Sequence, residues 1–306
     1  MATRERTVSV TLRTVAPAKI NWTLEVLHAR PDGYHELRSV LQTIDLCDSV
    51  TAVEAGDIEL RLTGEPGALG DEPVGENFAY RAAMALRQRC GAERGARIVL
   101  EKRVPVAAGL GGGSSDAAAV LRTLNELWGA MLPLPELRTI AATLGSDPPF
   151  FVFGGTAAVR GRGEEVEPLP DAVAPLLLLA MPREQHRGEK TAAMFAELTP
   201  ADYSEGYVTI GLGETAVAGH QIVDDGLNNV FERVAATLEP ETANAMTALR
   251  AIGCTPHLAG AGPSFFLLVE NEAQATPLAD RIDELGFEAR MVHTLSREDA
   301  TRIERV

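Results

Sequence analysis

The spacing of apolar and polar positions changes period repeatedly along the chain. Residues 8–12 read Val-Ser-Val-Thr-Leu, the alternation of a half-buried strand. Residues 16–27 continue in β-like fashion around a polar pair, Lys19 and Asn21. Arg30-Pro31-Asp32-Gly33-Tyr34-His35 is a turn signal, Pro followed by Asp-Gly, and residues 37–46 resume an extended pattern. Residues 50–53 and 58–62 predict two strands paired with each other, and the Gly- and Pro-rich residues 64–75 a loop. Helical spacing governs residues 78–90, a short strand covers 98–100, and Ala117, Leu121, Leu124 and Trp128 recur as a helix stripe closed by Gly129. A further helix is expected over 134–144, then strands over 150–153, 156–159 and 176–181.

Prolines cluster over residues 168–175, which divides the chain into expected domains 1–170 and 171–306. Downstream, helices are expected over 192–198, 230–236, 243–252 (ended by Gly253) and 273–285, with strands over 265–269 and 289–294. Helices and strands mix without a regular βαβ rhythm, so the fold class is α+β. No internal repeat is visible.

Composition narrows the function classes. The 306 residues carry a net charge of −15, with 45% hydrophobic and 23% charged residues. A protein that coats nucleic acid shows a basic footprint, so no nucleic-acid partner is expected. The longest apolar run, near residues 172–181, is far short of the ~20 residues that span a bilayer. With no apolar leader at the N-terminus, a cytoplasmic protein without a membrane partner is expected, monomer or homodimer. Cys47, Cys90 and Cys254 are too few and too widely spaced for a disulfide framework or a zinc site. His186, His220, His257 and His293 show no ligand spacing. Lysine occurs only at 19, 102 and 190, so a lysine within a motif stands out.

The most unusual stretch is Pro105-Val106-Ala107-Ala108-Gly109-Leu110-Gly111-Gly112-Gly113-Ser114-Ser115, running directly into an amphipathic helix. Four glycines in five residues cost backbone entropy, and their benefit is close approach of the main chain to a partner. Successive N–H groups can converge into an anion nest, and the helix N-terminus adds unpaired donors and the positive end of its dipole. Ser114 and Ser115 stand where hydroxyls can cap the helix or reach a phosphate or its metal. The P-loop spacing fails because no lysine follows, and the dinucleotide fingerprint fails because Ser114 stands where its last Gly belongs.

This stretch, with Asp116-Ala117-Ala118 after it, resembles the ATP loop of the GHMP kinases, the family of galactokinase, homoserine kinase, mevalonate kinase and phosphomevalonate kinase. Pro17-Ala18-Lys19-Ile20-Asn21 is similar to the family's first motif, and Leu144-Gly145-Ser146-Asp147 with Pro149-Phe150-Phe151 to its catalytic loop. Gly154-Gly155-Thr156-Ala157, Gly161-Arg162-Gly163-Glu164, Asn228-Asn229-Val230-Phe231-Glu232 and Ala259-Gly260-Ala261-Gly262-Pro263-Ser264 also match, so the resemblance spans about residues 15–270. Arg30 to His35, followed by Leu37, resembles the segment of a branch whose acceptor carries a cytidine diphosphate group.

The resemblance implies a two-domain fold. Its N-terminal α/β domain holds the ATP-loop and helix unit, its C-terminal domain is ferredoxin-like α+β, and the active site lies in the cleft between them. It implies ATP as co-substrate, Mg²⁺, and a small-molecule alcohol as acceptor. Asp147 matches the catalytic base and Lys19 its partner. Asn21, Tyr34 and His35 match substrate-binding positions, with Tyr34 against the cytosine ring. Pro105 to Ser115 and Asn77 match the ATP site, although Asn before an apolar helix is also a common cap. Gly260 and Gly262 match the loop that supports the phosphates, and Ser114 is the candidate near the metal. Asp116 reads as a first-turn residue favouring the helix dipole. Three positions depart from the family's usual residues: Pro148, Ala261 and Asn229. Pro148 is expected to push Asp147 toward extended backbone. Another acceptor, homoserine or mevalonate, or a nucleotide-binding protein without turnover, are the competing readings.

Overall fold

The computed structural model describes residues 10–64, 73–91, 93–183 and 190–306. The expectations at residues 8–9, most of the 64–75 loop and His186 lie outside these residues.

In chain order the elements are β1 (Thr11–Ala29), β2 (His35–Ala55), β3 (Ile58–Gly64), α1 (Phe78–Cys90), β4 (Gly95–Lys102), α2 (Gly112–Leu127), α3 (Leu134–Ala142) and α4 (Pro148–Phe153). There follow β5 (Thr156–Arg160), β6 (Glu165–Pro168), β7 (Leu176–Pro182), α5 (Lys190–Ala196) and α6 (Tyr207–Val217). The chain ends with β8 (Asn228–Asn229), α7 (Phe231–Leu238), α8 (Pro240–Arg250), β9 (His257–Leu258), β10 (Phe265–Val269), α9 (Glu272–Glu284), β11 (Phe287–Val292), α10 (Arg297–Thr301) and β12 (Ile303–Arg305). The α+β class holds, with helices packed on two sheets.

The larger sheet runs β12-β1-β2-β4-β3, with β5 and β6 branching from β2 and β8 parallel to β1. The smaller runs β11-β7-β10-β9. Strand alternation sorts side chains between two apolar clusters. From the smaller sheet, Leu177, Leu179 and Phe266 meet Ile20, Trp22 and Val40 of the larger one, and Trp22 sits edge-on to Phe266 at 5.6 Å. Their neighbours Leu178, Phe265 and Leu267 face the other way, into the cluster that includes Met246, Leu249 and Ile282 of α8 and α9. The opposite face of the larger sheet is covered by α1 to α4, where Ala117, Leu121, Leu124 and Phe150 are sealed from solvent. Each such large apolar side chain contributes about 1.5–3 kcal/mol.

Several expectations change. The segments read as separate strands before residue 55 form two long strands of 19 and 21 residues. The strands at 50–53 and 58–62 are not paired with each other. β4 enters between them, antiparallel to β2 (Val50 opposite Leu100) and parallel to β3 (Leu60 opposite Ile98), after α1 has carried the chain over. The expected strand at 150–153 is helix α4, with two prolines at its start and Gly154 at its end. A run of four apolar residues is compatible with either structure. α6 was not anticipated, because its Gly and β-branched residues disfavour helix in isolation. The short elements β6, β8, β9, α10 and β12 also escaped the pattern. β12 returns the chain end to β1. The expected boundary at residue 170 falls between β6 and β7.

Candidate active site

β1 brings the site together. Its pairing with β2 slips between Pro17 and Ala18 and again between Asn21 and Thr23. Lys19 and Asn21 therefore sit between two bulges, devices that re-aim side chains. Their main chains tie down two loops: Lys19 N–H donates to the Leu110 carbonyl and Asn21 N–H to that of Ala259, both at 2.9 Å. The Lys19 Nζ donates to Asn21 Oδ1 at 2.8 Å, and Asn21 Nδ2 donates to Ser39 Oγ at 2.7 Å. Burial pushes the Lys19 ammonium below its ordinary pKa, and the Asp147 carboxylate opposes that through space.

Asp147 is half-buried at the start of α4. Its backbone is helical, φ −80° and ψ −31°, rather than extended as Pro148 led us to expect. Packing overrides the local preference: Pro148, Pro149, Phe150 and Phe151 are all buried. The Arg122 guanidinium, also buried, donates to the Phe151 carbonyl and fixes the helix from its far end.

The glycine-rich loop packs on both partners. A Cβ on Gly111 (φ +73°) would lie 2.9 Å from the Phe151 ring and 3.2 Å from Lys19 Cγ. A Cβ on Gly109 (φ +77°) would lie 2.5 Å from the Gly262 carbonyl oxygen. One on Gly260 would meet the Gly109 carbonyl at 2.7 Å and the Lys19 Nζ at 2.8 Å. Intramolecular close approach thus accounts for part of the glycine content. Pro105 is half-buried, Val106 and Ala107 are exposed, and Ala108 and Leu110 are buried. α2 begins at Gly112, and its N-cap Gly111 contributes no side-chain bond. The first helical N–H groups are therefore left to another acceptor. The serines do not cap it. Ser114 is half-buried in the first turn, and Ser115 is buried with its Oγ unpartnered.

Asp116 is not a surface residue answering the helix dipole. It is buried and bonds Lys102 Nζ at 2.6 Å. Lys102 also bonds the buried Asp48, whose other oxygen accepts from the Arg103 N–H at 2.5 Å and the Val104 N–H at 2.8 Å. This triad ties β2, the loop's entry and α2 together. Burial raises the Asp116 carboxyl to about 8, although Lys102 opposes the shift. Burial pulls Lys102 down, but the contacts with Asp116 and Asp48 outweigh it and raise its pKa.

Asn77 caps α1, its Oδ1 accepting from the Ala79 N–H at 2.9 Å. The next residue, Phe78, lies where a Cβ on Gly113 would be 3.4 Å away, so the start of α1 abuts the start of α2. At Asn229, the side-chain NH₂ donates to the carbonyls of Leu258 (3.0 Å) and Gly260 (2.9 Å), a double donation that an ionised Asp could not make.

Tyr34 and His35 lie at the hairpin end of β1 and β2, apart from Lys19. Arg30 holds this turn through Asp32 at 3.2 Å and Glu36 at 2.6 Å. Tyr34 is exposed, with the Arg162 guanidinium 4.9 Å from its ring centre. His35 stacks on Phe195 at 5.3 Å and meets the Tyr203 edge at 6.2 Å. Burial lowers the His35 pKa, so the ring is neutral at pH 7. Phe195 and Tyr203 were not singled out from sequence, because they fall in a segment without matching motifs. Arg162 lay in a quoted motif without an assigned role. Among the described residues no cluster of His, Cys, Asp and Glu could cage a metal, and no helix is long and apolar enough to cross a membrane.

Together the site offers a buried amine beside a carboxylate, a helix N-terminus with free donors, and an aromatic platform at the hairpin. The profile of the GHMP kinases N terminal domain matches residues 77–155. A 4-diphosphocytidyl-2-C-methyl-D-erythritol kinase of Dehalococcoides mccartyi is 38% identical over 94% of this chain and all of its own length. One from Symbiobacterium thermophilum is 41% identical over 91% of this chain and 98% of its own. A crystal structure of 4-(cytidine 5'-diphospho)-2C-methyl-D-erythritol kinase superposes with a TM-score of 0.73 at 33% identity, covering 92% of this chain and 98% of that one. Homoserine kinase from Cytophaga hutchinsonii shares the fold, with a TM-score of 0.72 at 16% identity and all of both chains covered. The chain belongs to the GHMP kinases, in the 4-diphosphocytidyl-2-C-methyl-D-erythritol kinase family. It is a two-domain α+β enzyme of that family, a phosphotransferase.

Proposed function

We propose that the protein transfers the γ-phosphoryl group of ATP to the 2-hydroxyl of 4-diphosphocytidyl-2-C-methyl-D-erythritol, giving the 2-phosphate and ADP in the methylerythritol phosphate route to isoprenoids. The observation that carries the reading is the desolvated Lys19 amine in the field of Asp147, packed against the glycine-rich loop at the start of α2. Phosphoryl transfer needs alignment and charge neutralisation more than covalent help. Asp147 accepts the proton of the attacking hydroxyl. Lys19 stabilises the charge that develops on the transferred group. The free N–H groups of Gly112, Gly113 and Ser114 receive phosphate oxygens, and the loop from Pro105 to Gly111 shapes the nucleotide cradle with Gly260 and Gly262 behind it. Asn77 borders the adenine side.

Mg²⁺ would need few protein ligands here, since phosphate oxygens and water commonly supply most of its coordination, and that fits described residues that form no carboxylate cage. It would neutralise phosphate charge, and Ser114, half-buried in the first turn of α2, is the side chain that would touch it. At the hairpin, Tyr34, His35 and Phe195 form the cytidyl site. A neutral imidazole offers one donor and one acceptor, suited to the edge of a base. Residues 1–170 and 171–306 act as the two domains around this cleft, as monomer or homodimer, and a cytoplasmic location suits a reaction that consumes ATP.

The test is ADP release by purified protein with Mg-ATP and each of three acceptors. Turnover with the cytidyl acceptor, and none with homoserine or mevalonate, is expected. Turnover with either of those instead would reassign the substrate, and bound ATP without turnover on any acceptor would contradict kinase activity.

A further inference from the structure

We infer that Ser39 and Asn21 are positioning residues that hold an acceptor oxygen on the Lys19 ammonium. The inference rests on the proposed role of Lys19 in phosphoryl transfer. Ser39 is fully buried. Its hydroxyl has one proton, and that proton is given to the Thr23 carbonyl beside the second bulge of β1. Toward Asn21 the Ser39 oxygen can therefore only accept. The Asn21 amide must present its NH₂ to Ser39 and its Oδ1 to Lys19, as the bonds of 2.7 Å and 2.8 Å show. The relay is polarised from one end. Without the Ser39 hydroxyl, the amide can turn over and set donor against donor at Lys19.

Asn21 Oδ1 is the one hydrogen-bond acceptor on Lys19 Nζ among the described residues. Gly260 packs against Nζ and Gly111 against Cγ, so neither position has room for a side chain that could bond Lys19. The charge that acts on Lys19 comes from Asp147 at the start of α4. On neighbouring β2, β4 and α2, Asp48, Lys102 and Asp116 are bound to one another. Burial disfavours the charged amine, and the one neutral acceptor, Asn21 Oδ1, works with the field of Asp147 against that. Asn21 and Ser39 then act on the reaction through Lys19.

The chain has only three lysines, so ¹³Cε/¹⁵Nζ-lysine NMR of the intact protein resolves the Lys19 titration, assigned with Lys19→Met. Ser39→Ala should lower the Lys19 pKa by roughly one unit and turnover roughly tenfold, the worth of one hydrogen bond to a charged group. The KM for ATP should stay within about twofold, since Ser39 is fully buried and its partner Asn21 is expected on the acceptor side. Ser39→Thr, which keeps the hydroxyl, should restore the wild-type titration. Asn21→Asp, which replaces a neutral acceptor with a charged one, should move the pKa upward, and it carries the test should Ser39→Ala not fold. An unchanged Lys19 titration in both Ser39→Ala and Asn21→Asp would overturn the relay, whatever happens to turnover. Because the titration is read without substrate, the relay can stand where the wild type shows no kinase activity. That result would count against the kinase reading alone.

Discussion

Lys19 and Lys102 are 6% and 7% exposed, lie within one site, and are shifted in opposite directions. Lys102 sits between two buried aspartates that hold its charge in place. Lys19 has one neutral acceptor, and a carboxylate that acts on it only through space. Burial is the same in both cases, so the partners decide. A lysine with its charge satisfied is a fastener, here joining β2, β4 and α2 beneath the glycine-rich loop. A lysine left short of partners has interaction to spare for a charge that arrives with a substrate. The site needs both, because the loop that receives phosphate must itself be held by something other than phosphate.

The comparison can be broken by exchanging the expected effects. Lys19→Met should lower turnover by roughly 10²–10³-fold, the usual cost of removing one preorganised donor to developing charge. Its unfolding free energy should fall little, and urea denaturation checks this. Lys102→Met should do the reverse, lowering unfolding free energy by about 3–5 kcal/mol, because two buried aspartates lose their cation. A Lys102 variant that kept its stability and lost only turnover would erase the distinction.

A smaller effect sharpens the same point through pH. Asp116 holds its proton to about 8 in the fold, well above an ordinary aspartate. Between the unfolded pKa and that value the native state binds more protons than the unfolded chain, so stability from this group is full in acid and lost as pH rises toward 8. Asp116→Asn should flatten the pH dependence of urea unfolding across that window, leaving Lys102 paired with Asp48. An unchanged slope would show that Asp116 is ionised throughout. Smallest is Tyr34→Ala, expected to raise the acceptor KM about 2- to 10-fold with the ATP KM unchanged, the scale of one aromatic contact. Equal change in both KM values would remove Tyr34 from the cytidyl end.

Much of this arrangement was legible in the chain. α1 has the bounds its spacing predicts, and Lys19, Asp147 and the glycine-rich loop do converge. What escaped depends on contacts distant in sequence. The partners of Lys102 lie 54 and 14 residues away, and no local pattern pairs them. The insertion of β4 between β2 and β3 is likewise a non-local choice, invisible to two strands read side by side. α4 was mistaken for a strand because four apolar residues have no period to read, and Asp147 is helical because the buried prolines after it start that helix. Phe195 and Tyr203 lie in a segment whose sequence carries no motif, and only their stacking on His35 marks them.

The most direct test of the central claim compares wild type with Asp147→Asn, following ADP release with Mg-ATP and 4-diphosphocytidyl-2-C-methyl-D-erythritol while nucleotide affinity is measured separately. Turnover should fall by roughly 10²–10⁴-fold, the range of a general base, with ATP bound as before. A folded variant that turned over at the wild-type rate would contradict the assignment of Asp147, and with it the account of Lys19 as its partner.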